Sequence, residues 1–406
     1  MSPTNANRPP RVVITHALRT PIGRFLGSLA RVSAADLGTT VVEAVLDRAG
    51  VDPADVGEVF FGNARQAGGG PNVARQIAVR AGIPDTVTAT TVNMACGSGL
   101  KALTLAADQI RLRRHEVLVA GGVESMSGLP FFLPRMRQGY RLGHAPVVDG
   151  MYQDGFHCPL ADMPMGATAE NLARDLGIAR GDQDAYALES QRRAAAAVEE
   201  GRFAGELVPV EVPVRGGTAL VESDEHPRPT TTLEGLAKLS PVFDPEAGTV
   251  TAGNSSGITD GAAALLVMSQ ERAEREGLEP LAWMGETRDG GVDPRAMGLG
   301  PVPAVRALEE ANGLRVGDYD LIELNEAFAA QVLACDRELE LPRDRLNVNG
   351  GAIALGHPIG ATGTRIVVTL LHELGRRGGE HGLATLCISG GMGLATAFHR
   401  PPPSAA

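Results

Sequence analysis

Lysine is almost missing from this chain. Lys101 and Lys238 are the only two among 37 basic residues, and the rest are arginine. The bias fits genomic base composition. Positive charge is also short overall, with a formal net charge of −11. That excess of acid argues against general nucleic-acid binding, and an anionic substrate would need a local cluster of arginines. Long apolar runs are absent too. No stretch approaches the roughly 18 consecutive apolar residues of a membrane span. Cysteine is sparse, at positions 96, 158, 335 and 387. None forms CxxC and no histidine lies at finger-like spacing, so a metal site, a redox pair and a disulfide framework are all disfavoured. Rossmann, P-loop and GxSxG fingerprints do not occur in the strand–turn–helix settings they need. The first ten residues, MSPTNANRPP, have no apolar segment of the secretory kind, and the last six, PPPSAA, are not a peroxisomal address. Cytoplasm is the expected location.

What the chain has instead is glycine, 51 residues of it, spread through 406 positions. That length exceeds one compact core, so two or more domains are expected. Residues 11–17 read as a strand. Ser33 opens a helix with a box-like cap and Gly50 closes it. EVFFG (58–62) is a second strand, and NVARQIAVRAG (72–82) a second helix. TVTATTVN (86–93) reads as a buried strand. The next helix carries Leu100, Leu103, Ala107 and Ile110 on one face, and EVLVAGG (116–122) follows as a strand. This alternation predicts βαβ units and a mostly parallel sheet. From about Ser125 to Asn254 the pattern changes. A segment rich in proline, glycine and aromatics comes first, then two helices, then a polar stretch broken by prolines. It reads as a large insertion, a lid for a bulky ligand. From 261 the alternation resumes. In each half Val-Asn precedes a glycine-rich turn, a helix and a strand ending in Gly-Gly. The spacings differ, Asn93 to Gly99 against Asn349 to Gly363, which predicts a diverged duplication with a pseudo-twofold.

Three glycine bends carry reactive side chains. Cys96 lies in VNMACGSG between a strand and a helix. Amides and the positive end of the helix dipole are expected to lower its pKa and favour the nucleophilic thiolate. Gly97 and Gly99 are expected to let the backbone approach a substrate carbonyl. His357 lies in GGAIALGHPIGATG, before a helix of about three turns starting near Ala361. A neutral imidazole there would take the thiol proton. Cys387 ends a strand running into Gly390-Gly391-Met392-Gly393, where a second thiol suits a proton shuttle. Asn325, after the strand DLIEL, is placed to orient a water or donate to an oxyanion. Cys158 and Cys335 read as structural.

Together these segments resemble the thiolase family, the acetyl-CoA acyltransferases. The likeness runs from RTPIG (19–23) through GGVESMS (121–127), MGATAEN (165–171), TAGNSSGITDGAAA (251–264), NEAF (325–328) and GHPIGATG (356–363) to GGMG (390–393). It implies an α/β thiolase fold of two duplicated βαβαβαββ halves in a five-layer αβαβα arrangement with an inserted loop domain. The implied N-terminal half is 1–125 with 259–279, the loop domain 126–258, and the C-terminal half 280–406.

The resemblance also implies site roles. Cys96 is the nucleophile that carries the acyl group. His357 deprotonates it and later helps bind a thioester oxygen, and Asn325 holds a water in that first oxyanion hole. Cys387 moves the proton at the α-carbon. The backbone amides of Cys96 and Ser389 form the second oxyanion hole, with Ser389 standing where the family has glycine. Ser256 contacts pantetheine, Arg228 lies near the adenosine phosphate, and Met165 lines the acyl pocket, preceded by Pro164 where a histidine is common. Coenzyme A, acyl-CoA and 3-ketoacyl-CoA are then substrates, with no separate cofactor or metal. A homodimer or homotetramer is expected. Two other readings share the fold: a non-catalytic acyl-CoA or lipid carrier, and a ketosynthase-like condensing enzyme. The presence of Cys96, His357, Asn325 and Cys387 together argues against the first, and a second cysteine at 387 against the other.

Overall fold

A computed structural model describes residues 9–400. The expectations for the extreme termini therefore fall mostly outside the described residues. Nine strands build one continuous sheet: β1 Val12–Arg19, β2 Glu58–Gly62, β3 Thr88–Val92, β4 Val117–Ser125, β5 Thr259–Ser269, β6 Ala282–Gly291, β7 Leu321–Leu324, β8 His381–Ile388 and β9 Met392–His399. Their order is β3-β2-β4-β5-β1-β6-β9-β8-β7, and a two-residue strand, Gly23–Arg24, pairs beside β5. The helices include α1 Ala34–Ala49, α2 Val73–Arg80, α3 Ser98–Arg111, α4 Met165–Asp175, α5 Arg180–Glu199, α6 Pro301–Asn312, α7 Ala329–Leu339, α8 Ala352–Leu355 and α9 Ile359–Arg377.

Both halves follow βαβαβαββ. The first is β1-α1-β2-α2-β3-α3-β4-β5, with the insertion between β4 and β5. The second is β6-α6-β7-α7, then a third strand reduced to the single parallel bridge Ile322–Leu346, then α9-β8-β9. Asn347 explains the reduction. Its φ is +46°, and its side chain takes over the ladder: Oδ1 accepts from Leu324 N at 2.9 Å and Nδ2 donates to Leu324 O at 2.8 Å. A side-chain amide thus satisfies backbone groups that a strand would otherwise pair. The halves meet where β1 pairs with β6, Val13 opposite Trp283 and Ile14 opposite Ala282.

Five layers follow from which face of each strand is covered. Val13, Phe61, Val119 and Leu266 face α1 and α2, where Val41, Val45 and Ile77 pack on them. Their neighbours Ile14, Phe60, Leu118 and Leu265 face a central layer made by α3 and α9, through Leu100, Leu103, Ile366 and Leu370. On the far side Val302, Val305 and Val332 of α6 and α7 pack on Ile322, Leu324, Leu383 and Ala395. Adjacent strand residues serve opposite layers, as the pleat requires.

Two expectations change. The sheet is mixed rather than mostly parallel. β2–β3, β2–β4 and β7–β8 are parallel, whereas β4–β5, β5–β1, β1–β6, β6–β9 and β9–β8 are antiparallel. Crossover helices account for the parallel pairs; β8 and β9 are joined by a tight turn at Ser389–Gly391, which forces antiparallel pairing. β3 is an edge strand, half-exposed and not buried, because no strand covers its outer side among the described residues.

Helix ends match their residues more closely. Ser33 accepts from Asp36 N and Gly50 takes the left-handed conformation at φ +63°. α9 is longer than expected: it spans 19 residues and begins at Ile359. The insertion between β4 and β5 is more ordered than its prolines suggest. It contains α4, α5, a hairpin of Val210–Val214 with Gly217–Val221, and a short helix, Leu233–Ala237. It is anchored by a buried ion cluster. Arg19, at the end of β1, bonds Glu206 at 2.5 Å and Asp224 at 2.7 and 3.0 Å. Among the described residues no helix is long and apolar enough to cross a membrane.

Candidate active site

Cys96 lies in the loop from β3 to α3, two residues before the helix begins. The loop is wound tightly. Ser98 Oγ accepts from Met94 N at 2.9 Å and donates to Ala95 O at 2.6 Å, while Asn93 Oδ1 accepts from Ala95 N at 3.0 Å. Ala95 is held at φ +45°, a strained position for a residue with a side chain, and such strain costs about 1–3 kcal/mol that the surroundings must offset. The bend leaves Cys96 half-buried and free. It packs against the apolar group of Ala64, Met126, Met151 and Ile359. The Ser389 backbone amide acts electrostatically on its sulfur. Burial nonetheless pushes its pKa up, against partial relief from Arg65 and that amide. The direction is opposite to the one expected from the helix start, because desolvation in an apolar nest outweighs the terminal amides.

The glycines beside it serve packing within the protein. A Cβ on Gly97 would lie 2.5 Å from Ile388 Cδ1, so the end of β8 presses directly on the Cys96 bend. A Cβ on Gly99 would lie 2.8 Å from Thr364 N, where α3 and α9 cross.

His357 lies before α9 in the loop that corresponds, in the second half, to the loop holding Cys96. Its amide donates to Gly257 O at 3.1 Å, and Nδ1 is 2.6 Å from Thr362 Oγ1. The Thr362 hydroxyl already donates to Pro358 O at 3.0 Å. Its oxygen therefore accepts from His357, which places the imidazole proton on Nδ1 and leaves Nε2 as a free base. Burial, then Arg365 and Arg65, lowers the His357 pKa to about 3, so the ring is neutral at ordinary pH.

Asn325 follows β7 and is fully buried. Its amide nitrogen donates to Thr385 O at 3.0 Å, but neither Oδ1 nor Nδ2 of the side chain has a partner. Buried amides are normally satisfied, so an orphan carboxamide marks a place for a water or ligand. The adjoining Glu326 is the opposite case. It accepts from Tyr186, Ser190, Asn347 and the Ile353 amide at 2.7–3.1 Å, and so locks the NEAF loop to α5 and α8.

Cys387 lies on β8, fully buried among Met297, Ala327, Met165 and Phe328. Its pKa is pushed well up by burial, then by Cys96 and Cys335, so the two site cysteines are within electrostatic reach of each other. Ser389 follows. It stays out of the left-handed region, unlike Gly390 at φ +91° and Gly391 at φ +85°. The serine thus needs no special backbone, and its hydroxyl bonds Met165 Sδ at 3.5 Å. Met165 starts α4 after Pro164.

Ser256 is tied into the same region, its amide donating to Ala327 O at 3.0 Å. Arg228 is further out and exposed. Its amide bonds Gln191 Oε1 at 2.8 Å, and it lines a cleft of about 230 Å³ with His226, Thr230–Thr232, Gly235, Ala252 and Gly253. Cys387, Ser389 and Met165 are linked by these contacts, and Cys96 packs against the apolar group that contains Ile388, next to Cys387 on β8. No direct contact ties Arg228 to Cys96. Cys158 and Cys335 are both buried, and Cys335 bonds Gly298 O at 3.2 Å.

Sequence reasoning missed two residues beside the site. Glu124, inside the quoted GGVESMS run, accepts from Asn63 Nδ2 and from the amides of Ala64, Arg65 and Gly360 at 2.7–3.2 Å. It thereby fastens the start of α9 to the first half. Burial raises its pKa to about 7. Arg65 carries its charge toward both Cys96 and His357. Nothing in its local sequence marks it.

This fold, with two cysteines, a histidine and an orphan asparagine on or beside the ends of its strands, is that of a known family. The chain belongs to the thiolase family: the family description "Thiolase, N-terminal domain" matches residues 12–271, and "Thiolase, C-terminal domain" matches 278–400. It is 52% identical to an acetyl-CoA acetyltransferase of Chromobacterium violaceum, over 96% of this chain and 100% of that protein. An Escherichia coli acetyl-CoA acetyltransferase is 52% identical over 96% of this chain and 98% of its own. The solved Bacillus anthracis acetyl-CoA acetyltransferase superposes with a TM-score of 0.95 at 46% identity, covering 97% of this chain and 99% of that one. Human mitochondrial 3-ketoacyl-CoA thiolase superposes at 0.93 with 41% identity and the same coverage.

Proposed function

We propose that this chain catalyses the reversible, CoA-dependent cleavage of 3-ketoacyl-CoA to acyl-CoA and acetyl-CoA, by ping-pong transfer through an acyl-enzyme on Cys96. His357 Nε2 takes the Cys96 proton and the thiolate attacks the 3-keto carbon. The carbon–carbon bond breaks, and the electron pair leaves on the α-carbon of acetyl-CoA. That enolate oxygen is held by His357 and an Asn325-bound water, while Cys387 delivers the proton to carbon. The amides of Cys96 and Ser389 hold the acyl oxygen. CoA then takes the acyl group as a thioester. Condensation is the same path reversed; it is uphill for simple thioesters, so degradation is the favoured direction unless product is drained.

Arg228 and Ser256 are the proposed CoA contacts, and Met165 the wall of the acyl pocket. CoA acts as substrate, with no separate cofactor. The protein is proposed to work in the cytoplasm as a homodimer or homotetramer, a reading supported by the uncovered edge of β3, since open sheet edges invite a partner.

One observation carries the reading. The end of β8 presses on the Cys96 bend, where a Cβ on Gly97 would lie 2.5 Å from Ile388 Cδ1, so the strand that carries Cys387 in one half meets the nucleophile loop of the other. The test is CoA-dependent loss of ketoacyl-CoA absorbance, with acetoacetyl-CoA beside a long-chain substrate. Absence of thiolysis with both would sink the proposal.

A further inference from the structure

Glu124 lies near the end of β4 and is fully buried. Each of its oxygens accepts from two N–H groups. Oε1 accepts from Asn63 Nδ2 at 2.7 Å and from Arg65 N at 3.0 Å. Oε2 accepts from Ala64 N at 3.2 Å and from Gly360 N at 2.8 Å. Four donors fit the ionised carboxylate, which is an acceptor only. Burial opposes that form, while Arg65 and the amides of Gly360, Arg65 and Ala64 favour it. The carboxylate thus joins two segments far apart in the chain, the loop at 63–65 and the first turn of α9.

Those two segments frame the proposed nucleophile. Ala64 and Ile359, the neighbour of Gly360, belong to the apolar group on which Cys96 packs. From Ala64 the path continues into the Cys96 bend. Ala64 O accepts from Asn93 Nδ2 at 3.2 Å, and Asn93 Oδ1 accepts from Ala95 N at 3.0 Å. Beside it Asn63 N donates to Val92 O at 3.0 Å. On the other side, the first turn of α9 holds His357. Thr362 Oγ1 donates to Pro358 O at 3.0 Å and lies 2.6 Å from His357 Nδ1. There is little slack between the segments. A Cβ on Gly360 would lie 2.5 Å from Val123 O and 2.8 Å from Asn63 Cα, so α9 rests directly on the 63–65 loop.

We propose that Glu124 is a positioning residue: its carboxylate holds the Ala64 loop and the first turn of α9 at a fixed spacing, and thereby sets the approach of His357 to Cys96 across the two halves. The proposal rests on the reading of Cys96 and His357 as nucleophile and base. Glu124 acts through the amides of Ala64 and Gly360. The demand for such a clamp is physical. Proton transfer needs the two side chains within hydrogen-bond reach, and a displacement of about 1 Å can cost about 10²-fold in rate. Cys96 and His357 come from different halves, so local sequence alone cannot fix their spacing.

The test measures kcat and KM for acetoacetyl-CoA thiolysis, together with Cys96 alkylation by iodoacetamide at pH 7, which needs no turnover. Glu124→Gln keeps the shape but turns one oxygen into a donor, so two of the four N–H groups lose their acceptor. It is expected to lower kcat about 10–100-fold, the range for a partner that orients a catalytic group, with KM within about threefold of wild type. Alkylation should slow by about tenfold, part of what loss of a general base removes. Asn93→Ala cuts the same path at its exposed end and should lower kcat about three- to tenfold, the worth of one ordinary hydrogen bond. Because both variants loosen one network, the double variant should fall no more than about twofold below Glu124→Gln. Losses that multiply in full overturn the proposal, since the two sites then act independently. Unchanged kcat and alkylation in Glu124→Gln also overturn it, even with a lowered melting temperature, because the carboxylate is then a structural tie only. If Glu124→Gln does not fold, Asn93→Ala decides alone, and an unchanged kcat overturns the proposal. Should wild type show no thiolysis while alkylation still slows in Glu124→Gln, the functional reading falls and the positioning stands.

Discussion

The two helices of the central layer, α3 and α9, start from equivalent places in the duplicated halves, and they have diverged in opposite directions. The bend before α3 is short, strained at Ala95, and leaves Cys96 half-buried. The bend before α9 is longer by eight residues between its Val-Asn and its helix glycine. It spends them on the turn α8 and on burying His357. Neither helix has a side-chain cap. At α9 the Glu124 carboxylate fills that role through Gly360; at α3 the cysteine loop itself does so. One ancestral bend has thus become the reachable part of the site and the other the fixed part. The proposed roles fit this division: a nucleophile must meet substrate, whereas a base must keep one tautomer.

The largest test of that division is Cys96→Ala. Thiolysis should fall by about 10⁴-fold or more, as when a nucleophile is removed from other covalent catalysts, and no acyl-enzyme should appear in a mass spectrum. Cys387→Ala should still acylate yet lose carbon–carbon bond formation. If it lost acylation alone, the roles of the two cysteines would have to be exchanged.

On the fixed side, Asn325→Ala is expected to cost about 10²–10³-fold in kcat, the usual penalty for emptying an oxyanion hole, with acetoacetyl-CoA KM little changed. A normal kcat would mean that the orphan carboxamide holds nothing. Thr362→Val keeps the shape and removes the oxygen that accepts from Nδ1. The expected loss is about 10–100-fold, as for other partners that orient a catalytic histidine.

The comparison also predicts a pH signature. His357 is lowered to about 3 and Cys96 is raised, so the resting pair is neutral thiol and neutral imidazole. Alkylation of Cys96 reads thiolate, so its rate should climb about tenfold per pH unit through neutrality. A plateau already reached in weak acid would instead report a preformed thiolate–imidazolium pair.

How much of this was legible in the residues depends on how local the cause is. Ser33, Gly50 and the glycine bends act within a few positions of themselves, and they were readable. So was the duplication, because Val-Asn and Gly-Gly recur. The third strand of the second half was not, because the Asn347 side chain replaces its ladder across space. The mixed sheet was missed for a related reason: alternation reports the crossovers but not the tight return at Ser389–Gly391. The pKa of Cys96 was misjudged in sign, since a helix start is visible in sequence and a ring of apolar neighbours from Ala64, Met126 and Ile359 is not.

Ser389 separates the two kinds of knowledge most finely. By sequence it is a departure from glycine in the oxyanion bend, and a narrowed pocket or a strained backbone would follow. In the fold it avoids the left-handed region, and its hydroxyl rests on Met165 Sδ at 3.5 Å. The backbone amide that acts on Cys96 is the same in either residue. Ser389→Gly should therefore leave acylation by acetoacetyl-CoA within about threefold of wild type, less than one ordinary hydrogen bond. Its effect should appear in chain length, because Met165 Sδ loses its bond to the serine hydroxyl and gains room to turn. Comparing kcat/KM for acetoacetyl-CoA and a long-chain 3-ketoacyl-CoA in both proteins checks this. A tenfold loss on the short substrate would show that the serine side chain, and not only its amide, belongs to the reacting centre.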